Sequence, residues 1–107
     1  MKLVVIESPY AGDVERNRRY LNRCIRDCID RGESPYASHK MLVDSLDDKI
    51  PAERAIGIDV GLAWSIAADE VAIYIDYGVS DGMNKAIAYH NSLGHEVVYR
   101  KIGSNPK

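Results

Sequence analysis

The sequence predicts an α/β fold: a three-layer, flavodoxin- or Rossmann-like sandwich around a mostly parallel sheet of four to five strands. Three observations carry this expectation. Short apolar runs rich in β-branched residues, Leu3-Val4-Val5-Ile6 and Val71-Ala72-Ile73-Tyr74-Ile75, alternate with longer segments of helical periodicity. Those segments are bounded by helix signals: Asp13, Pro51 and Ser80-Asp81 at their starts, Gly32 and Gly94 at two of their ends. Strands separated by helices need crossover connections, which place successive strands parallel.

The elements follow in order. Residues 3–7 read as the first strand, and Ser8-Pro9-Tyr10-Ala11-Gly12-Asp13 as a turn in which Asp13 caps the next helix. Over 14–31, Asn17, Leu21, Cys24, Ile25, Cys28 and Ile29 recur at helical spacing, with Arg16, Arg18, Arg19, Arg23 and Arg26 on the other faces. Gly32 stops that helix. A short strand is expected around Pro35-Tyr36-Ala37, and a brief helical excursion over 41–46. The second long helix opens at Pro51, with Glu53 suited to the positive end of its dipole, and runs to about Ala68. Gly57 and Gly61 inside it lower helix propensity and imply close backbone approach, to the sheet or to a second subunit. The run over 69–76 is nearly continuously apolar, as for a strand buried on both faces. A third helix over 81–93 and a last strand over 96–102 complete residues 1–103 as one domain, and 104–107 form a polar tail.

Composition bounds the function. A chain of 107 residues with a net charge of −2 lacks the basic surface that nucleic-acid binding asks for. No apolar run approaches the ~20 residues that span a bilayer, and the N-terminus turns acidic at Glu7, too early for a signal peptide. A cytoplasmic protein is expected. Cys24 and Cys28 lie one turn apart on a helix; in a reducing compartment they read as small core residues, and no matching ligands suggest a metal. No cofactor is implied.

In a parallel sheet of this kind, ligands bind beyond the carboxyl ends of the strands. The loops there are 7–13, 38–40 and 77–82. Their residues form an ordered pattern: Ser8-Pro9-Tyr10-x-Gly12-Asp13, Asn17, Gly32-x-x-Pro35-x-Ala37-x-His39, Leu46-Asp47-Asp48, Glu53-Arg54, Asp69-Glu70-Val71 and Ser80-x-Gly82-Met83. The pattern resembles a small bacterial and phage family of nucleoside 2-deoxyribosyltransferase-like proteins, over 2–100. That superfamily transfers or hydrolyses N-glycosidic bonds of nucleosides and nucleotides, or binds related ligands.

The resemblance implies roles. Tyr10 would stack on a base or sugar, beside Ser8 in the same turn; a surface-turn tyrosine is the other reading. Asp13 would hydrogen-bond a ribose hydroxyl or simply cap its helix. His39 would meet a phosphate or base, or serve a structural bond to backbone. Asp76 and Asp81 would accept from a base amino group or a sugar hydroxyl, or remain solvated turn acids. Ser80, with the N–H groups of Gly82 and Met83, would cradle a phosphate or form an ordinary N-cap.

One departure matters. The superfamily places a nucleophilic glutamate four positions after the turn glycine, and here that position is Ala86. Lys85 and Asn84 are no substitutes, whereas Asp81, Asp76 or Glu7 offer a carboxylate for direct attack by water. Three functions stay open: a nucleotide- or nucleoside-binding protein, in a phage setting one that sequesters a nucleotide immune signal; an N-glycosidase or nucleotide hydrolase using a non-standard acid; and an interaction protein that has lost its pocket. Gly57 and Gly61 with Trp64 one turn on would give the second helix a face for a homodimer or higher homo-oligomer.

Overall fold

The computed structural model describes residues 1–103; the tail expected over 104–107 lies outside the described residues. Four strands and four helices alternate: β1 (Leu3–Glu7), α1 (Val14–Asp30), β2 (Ser34–Tyr36), α2 (Ser38–Met41), α3 (Pro51–Ala67), β3 (Glu70–Tyr74), α4 (Asp81–Ser92) and β4 (Val97–Arg100). The sheet is parallel throughout, in the order β2-β1-β3-β4. Val5 pairs with Val71 and Glu7 with Ile73, so β1 and β3 form the centre and end together at their carboxyl edges.

Two cores flank the sheet, because alternate strand residues face opposite sides. On one side Val4, Ile6, Ala72 and Tyr74 pack against Tyr20, Leu21, Cys24 and Cys28 of α1. On the other, Val5, Val71 and Ile73 meet Met83 of α4, with Ile87 and Ala68 beside them. All five residues of β3 are buried, as its apolar run requires. The two cysteines are free, buried core residues.

Local signals set the helices. The Asp13 carboxylate accepts from the Arg16 amide at 3.0 Å and caps α1. Gly32 follows its last turn with φ +79°, a conformation in which a side chain would be strained. The arginines of α1 stay outside and pair along the helix, Arg19 with Glu15 and Arg26 with Asp30.

The helical excursion expected over 41–46 falls earlier: α2 ends at Met41, and hydrogen-bonded turns follow to Leu46. Competing side-chain bonds explain the difference. Asp47 accepts from the Lys49 amide, and Glu53 reaches back from α3 to the Asp47 amide at 2.8 Å, which commits this segment to the start of α3. Gly57 faces that segment: a Cβ there would meet Leu46 Cδ1 at 3.4 Å. The final strand is shorter than the expected 96–102, because beyond Arg100 the amides of Ile102 and Gly103 turn to the Asp76 carboxylate.

One buried polar cluster had no forecast in the sequence. Arg100 donates to both oxygens of Glu33 at 2.7 Å and to Glu70 at 2.7 Å, and also reaches the Tyr74 hydroxyl at 3.2 Å. The Tyr74 hydroxyl donates in turn to Asp27 at 2.7 Å. Among the described residues, no helix is long and apolar enough to cross a membrane.

Candidate functional site

The strand order reverses between β1 and β3. From β1 the chain moves outward to β2, then crosses back past β1 to β3, and the carboxyl edge at such a reversal is where parallel α/β sheets bind ligands. The segments at that edge are the first turn, the start of α2, the loop before α4 and the end of β1.

The first turn is fixed from below. Asn17, buried on α1, donates its side-chain amide to the Tyr10 carbonyl at 3.0 Å and the Ala11 carbonyl at 3.1 Å. Gly12 adopts φ +95°, which lets the chain turn into Asp13 and the helix cap. Ser8 is buried beneath the turn. Tyr10 is brought against His39 of α2, with ring centroids 4.7 Å apart and planes tilted by 36°. The two residues are thus a ring pair beyond the carboxyl ends of β1 and β2. Burial pushes the His39 imidazole below its ordinary pKa, while the Glu7 carboxylate pulls the other way.

Glu7 is the last residue of β1 and follows Val5 by two, so it points to the α4 side of the sheet. There its Oε2 lies 2.9 Å from Nε2 of His90, a histidine only 2% exposed. The other ring nitrogen of His90 lies 3.2 Å from Nδ1 of His95. His90 sits four residues after Ala86 on α4, hence on the same helix face. Glu7 is thereby bonded to the face of α4 that also carries Ala86.

The other expected residues are placed differently. Asp76, beyond the end of β3, accepts from the Tyr20 hydroxyl at 2.5 Å and from the amides of Ile102 and Gly103 at 3.0 to 3.1 Å. Burial acts to raise its pKa, but these donors together hold it below the ordinary carboxylate value. Its acceptor atoms are committed to joining β3, α1 and the end of β4. Ser80 caps α4, accepting from the Met83 amide at 3.2 Å, and the Met83 side chain lies in the core. Of the expected phosphate cradle, the Met83 amide is thus engaged, while Asp81 and Gly82 are exposed at the first turn, where helix amides lack intrahelical partners. The loop between them and Asp76 lies on α1: Tyr77 packs 4.6 Å from Tyr20, with the Arg16 guanidinium 4.1 Å from its ring centre.

The structure thus brings Tyr10 against His39 and Glu7 against His90. His90 and His95 escaped the sequence reading. The available signal was the spacing of Met83, Ala86 and His90, a 3-4 stripe that puts the histidine on the packed side of α4. Among the described residues, no group of three or more His, Cys, Asp or Glu side chains is arranged to hold a metal ion.

This strand order and layering define an all-parallel α/β fold. A solved 2-deoxyribosyltransferase from the psychrotolerant bacterium Bacillus psychrosaccharolyticus, characterised as a biocatalyst for nucleoside synthesis, superposes with a TM-score of 0.74. The match covers 96% of this chain and 74% of that one at 12% identity, a likeness of fold. Residues 2–100 match the family described as a domain of unknown function, DUF7768, and the chain belongs to that family. A comparison with curated proteins found no match.

Proposed function

We propose that this protein binds a nucleoside or nucleotide at the carboxyl edge of its sheet, with the base against the Tyr10–His39 ring pair. The observation that carries this is the contact of that pair: two rings with centroids 4.7 Å apart, one from the turn after β1 and one from the helix after β2. An aromatic pair offers stacking area to any base. The exposed first-turn amides of Asp81 and Gly82 suit an anionic group on the same ligand. Ala86 leaves α4 without a side chain to hold a sugar as a covalent ester, so the ligand is captured without that intermediate. Capture withdraws a nucleotide from solution, and in the cytoplasm of a phage-infected host it would silence a nucleotide immune signal.

The test is a thermal-shift series with nucleosides, their 5′-phosphates and cyclic nucleotides. A ligand at 100 times its Kd should add about 2.7 kcal/mol of stability. Tyr10→Ala should abolish the shift, and a flat response across the series would overturn the reading.

We also propose that a second copy covers α3. Its Ile56, Ile58, Trp64 and Ile66 are 48 to 72% exposed, although its sequence is apolar on nearly every face. A helix apolar all round belongs in an interior. Trp64 lies flat on Tyr36, with centroids 4.8 Å apart and planes within 15°.

A further inference from the structure

We propose that His90 and His95 form a proton-operated latch between the end of α4 and the turn that leads into β4: closed while the facing nitrogens share one proton, open when each ring carries its own.

The pair sits in a helix-ending motif. Leu93 closes α4, and Gly94 follows with φ +72°. The chain then turns back: the Gly94 amide donates to the Asn91 carbonyl and the His95 amide to the His90 carbonyl, both at 3.1 Å. In this motif the residue after the glycine commonly makes an apolar contact with the residue it bonds back to. Here both positions are histidines. Nδ1 of His90 lies 3.2 Å from Nδ1 of His95, with ring centroids 5.4 Å apart and planes tilted by 35°. That centroid distance is nearly the nitrogen gap plus the two ring radii, so the nitrogens meet head-on as an N–H···N hydrogen bond. His90 is buried and its Nε2 lies 2.9 Å from Glu7 Oε2, whereas His95 is half-buried. An apolar side chain at 95 would complete the motif at every pH; a histidine completes it only while a proton is shared.

A head-on pair of imidazoles holds one proton between its nitrogens. With both rings neutral, His90 donates from Nε2 to the Glu7 carboxylate and accepts at Nδ1 from His95. One added proton is accommodated. It enters at His95 Nε2, and the shared proton shifts to His90, which then donates to Glu7 and to the bare Nδ1 of His95. The ionised Glu7 and the negative end of α4 favour the positive charge on His90. A second added proton meets no lone pair between the rings and sets N–H against N–H and charge against charge. The half-buried His95, not the buried His90 bonded to Glu7, is the ring that turns out to solvent.

The surroundings leave this arithmetic to the pair. Glu7 faces it from β1, the Tyr89 ring lies edge-on to His90 at 6.0 Å, and Glu96 follows His95 in the exposed turn. From the sheet, β3 turns Val71 and Ile73 towards α4, and β4 turns Val97, with Tyr99 two residues on. His39 of α2 lies in the field of Glu7. Among the described residues, Glu7 is the side chain that bonds to the pair.

The sign follows. The open turn binds one more proton than the closed one, so acid favours opening, by up to about tenfold per pH unit once the second proton begins to bind. The two steps belong to the pair and not to either ring. Opening releases the His95 amide from the His90 carbonyl, beside the Glu96 carbonyl that accepts from the Val71 amide at 2.9 Å and leads into the β3–β4 pairing. Helix α4 stays tied to β1 through His90 and Glu7.

The experiment follows amide hydrogen exchange on the full chain from pH 8 to pH 5, the range in which histidine charge changes. Rates are corrected for intrinsic exchange at each pH, with α1 amides as the reference. The wild-type Gly94 and His95 amides should lose protection by at least about tenfold on acidification while α1 keeps its own. His95→Asn places near Nδ1 an amide that donates or accepts at any pH, so its turn should change by less than about twofold. Nitrogen-15 spectra of the wild-type imidazoles give a readout that needs no variant at the pair: the rings should titrate in two separated steps, and the first should move to lower pH in Glu7→Gln. Protection at Gly94 and His95 that is constant with pH overturns the latch. So does an equal loss in His95→Asn, or a pair of imidazoles that titrates in a single step.

Discussion

The Tyr20 hydroxyl donates to the Asp76 carboxylate at 2.5 Å and accepts from the Asp76 amide at 3.0 Å. One phenol on α1 thereby holds both the side chain and the backbone of the residue that leaves β3. The same carboxylate holds the amides of Ile102 and Gly103. What looks in sequence like a crevice acid is a clasp between α1, β3 and the end of β4.

Loss of that clasp should be measurable as stability. Tyr20→Phe removes a hydrogen bond to a charged group and should cost about 1.5–3 kcal/mol in urea unfolding. The pH dependence follows in sign. Asp76 has a folded-state pKa below its unfolded one, so its contribution is full above the ordinary carboxylate range and is lost as the pH falls through it. Unfolding free energy measured from pH 7 to pH 3 should therefore fall less steeply in Tyr20→Phe than in the wild type. Parallel slopes would contradict the assignment.

Arg100 balances two acids at once. Its side chain is about as buried as those of its partners Glu33 and Glu70, at 7, 11 and 7% exposure. Arg100→Ala leaves the Glu33 carboxylate without its partner and Glu70 with Lys2 alone, and should cost about 3–5 kcal/mol. Replacing all three with Arg100→Met, Glu33→Gln and Glu70→Gln should recover much of that loss. Chemical denaturation of the single and triple variants decides it; a triple variant weaker than Arg100→Ala would show the ion cluster to be worth more than its desolvation.

The exposed face of α3 makes a separate forecast. Trp64→Glu combined with Ile66→Glu should shift the protein to a monomer in gel filtration with multi-angle scattering, while circular dichroism stays unchanged. Wild-type protein that elutes as a monomer at high concentration would remove the second copy from α3.

How much of this the sequence discloses follows from the range of the forces involved. Asp13, Gly32, Pro51, Ser80 and Gly94 mark element ends because capping and turn geometry act over three or four residues, and the helices begin and end within a residue or two of those marks. The buried stretch over 70–74 announces β3 for a similar reason: its neighbours in sequence share its burial. Tyr10 sits in the turn after β1, and His39 falls on α2 where the sequence suggests a loop; their ring contact joins positions 29 residues apart and needed the fold. Other buried polar pairings are longer still. Glu7 meets His90 across 83 residues, and Arg100 meets Glu33 across 67. Local pattern sees Glu7 only as the end of a strand and His90 only as a polar residue late in a helix.

Because Ala86 and His90 share a face of α4, and Glu7 is bonded to His90, a side chain placed at position 86 should enter the space that Glu7 occupies. Ala86→Glu puts a second carboxylate there. The two like charges should repel, and the variant should lose stability beyond any change in helix propensity, which differs little between alanine and glutamate. In the Glu7→Gln background the repulsion disappears and the same substitution should be tolerated better. A double-mutant cycle by urea denaturation should give a coupling of about 0.5–3 kcal/mol between the two positions. A coupling near zero would separate Glu7 from the face of α4 and with it break the line from β1 through His90 to His95.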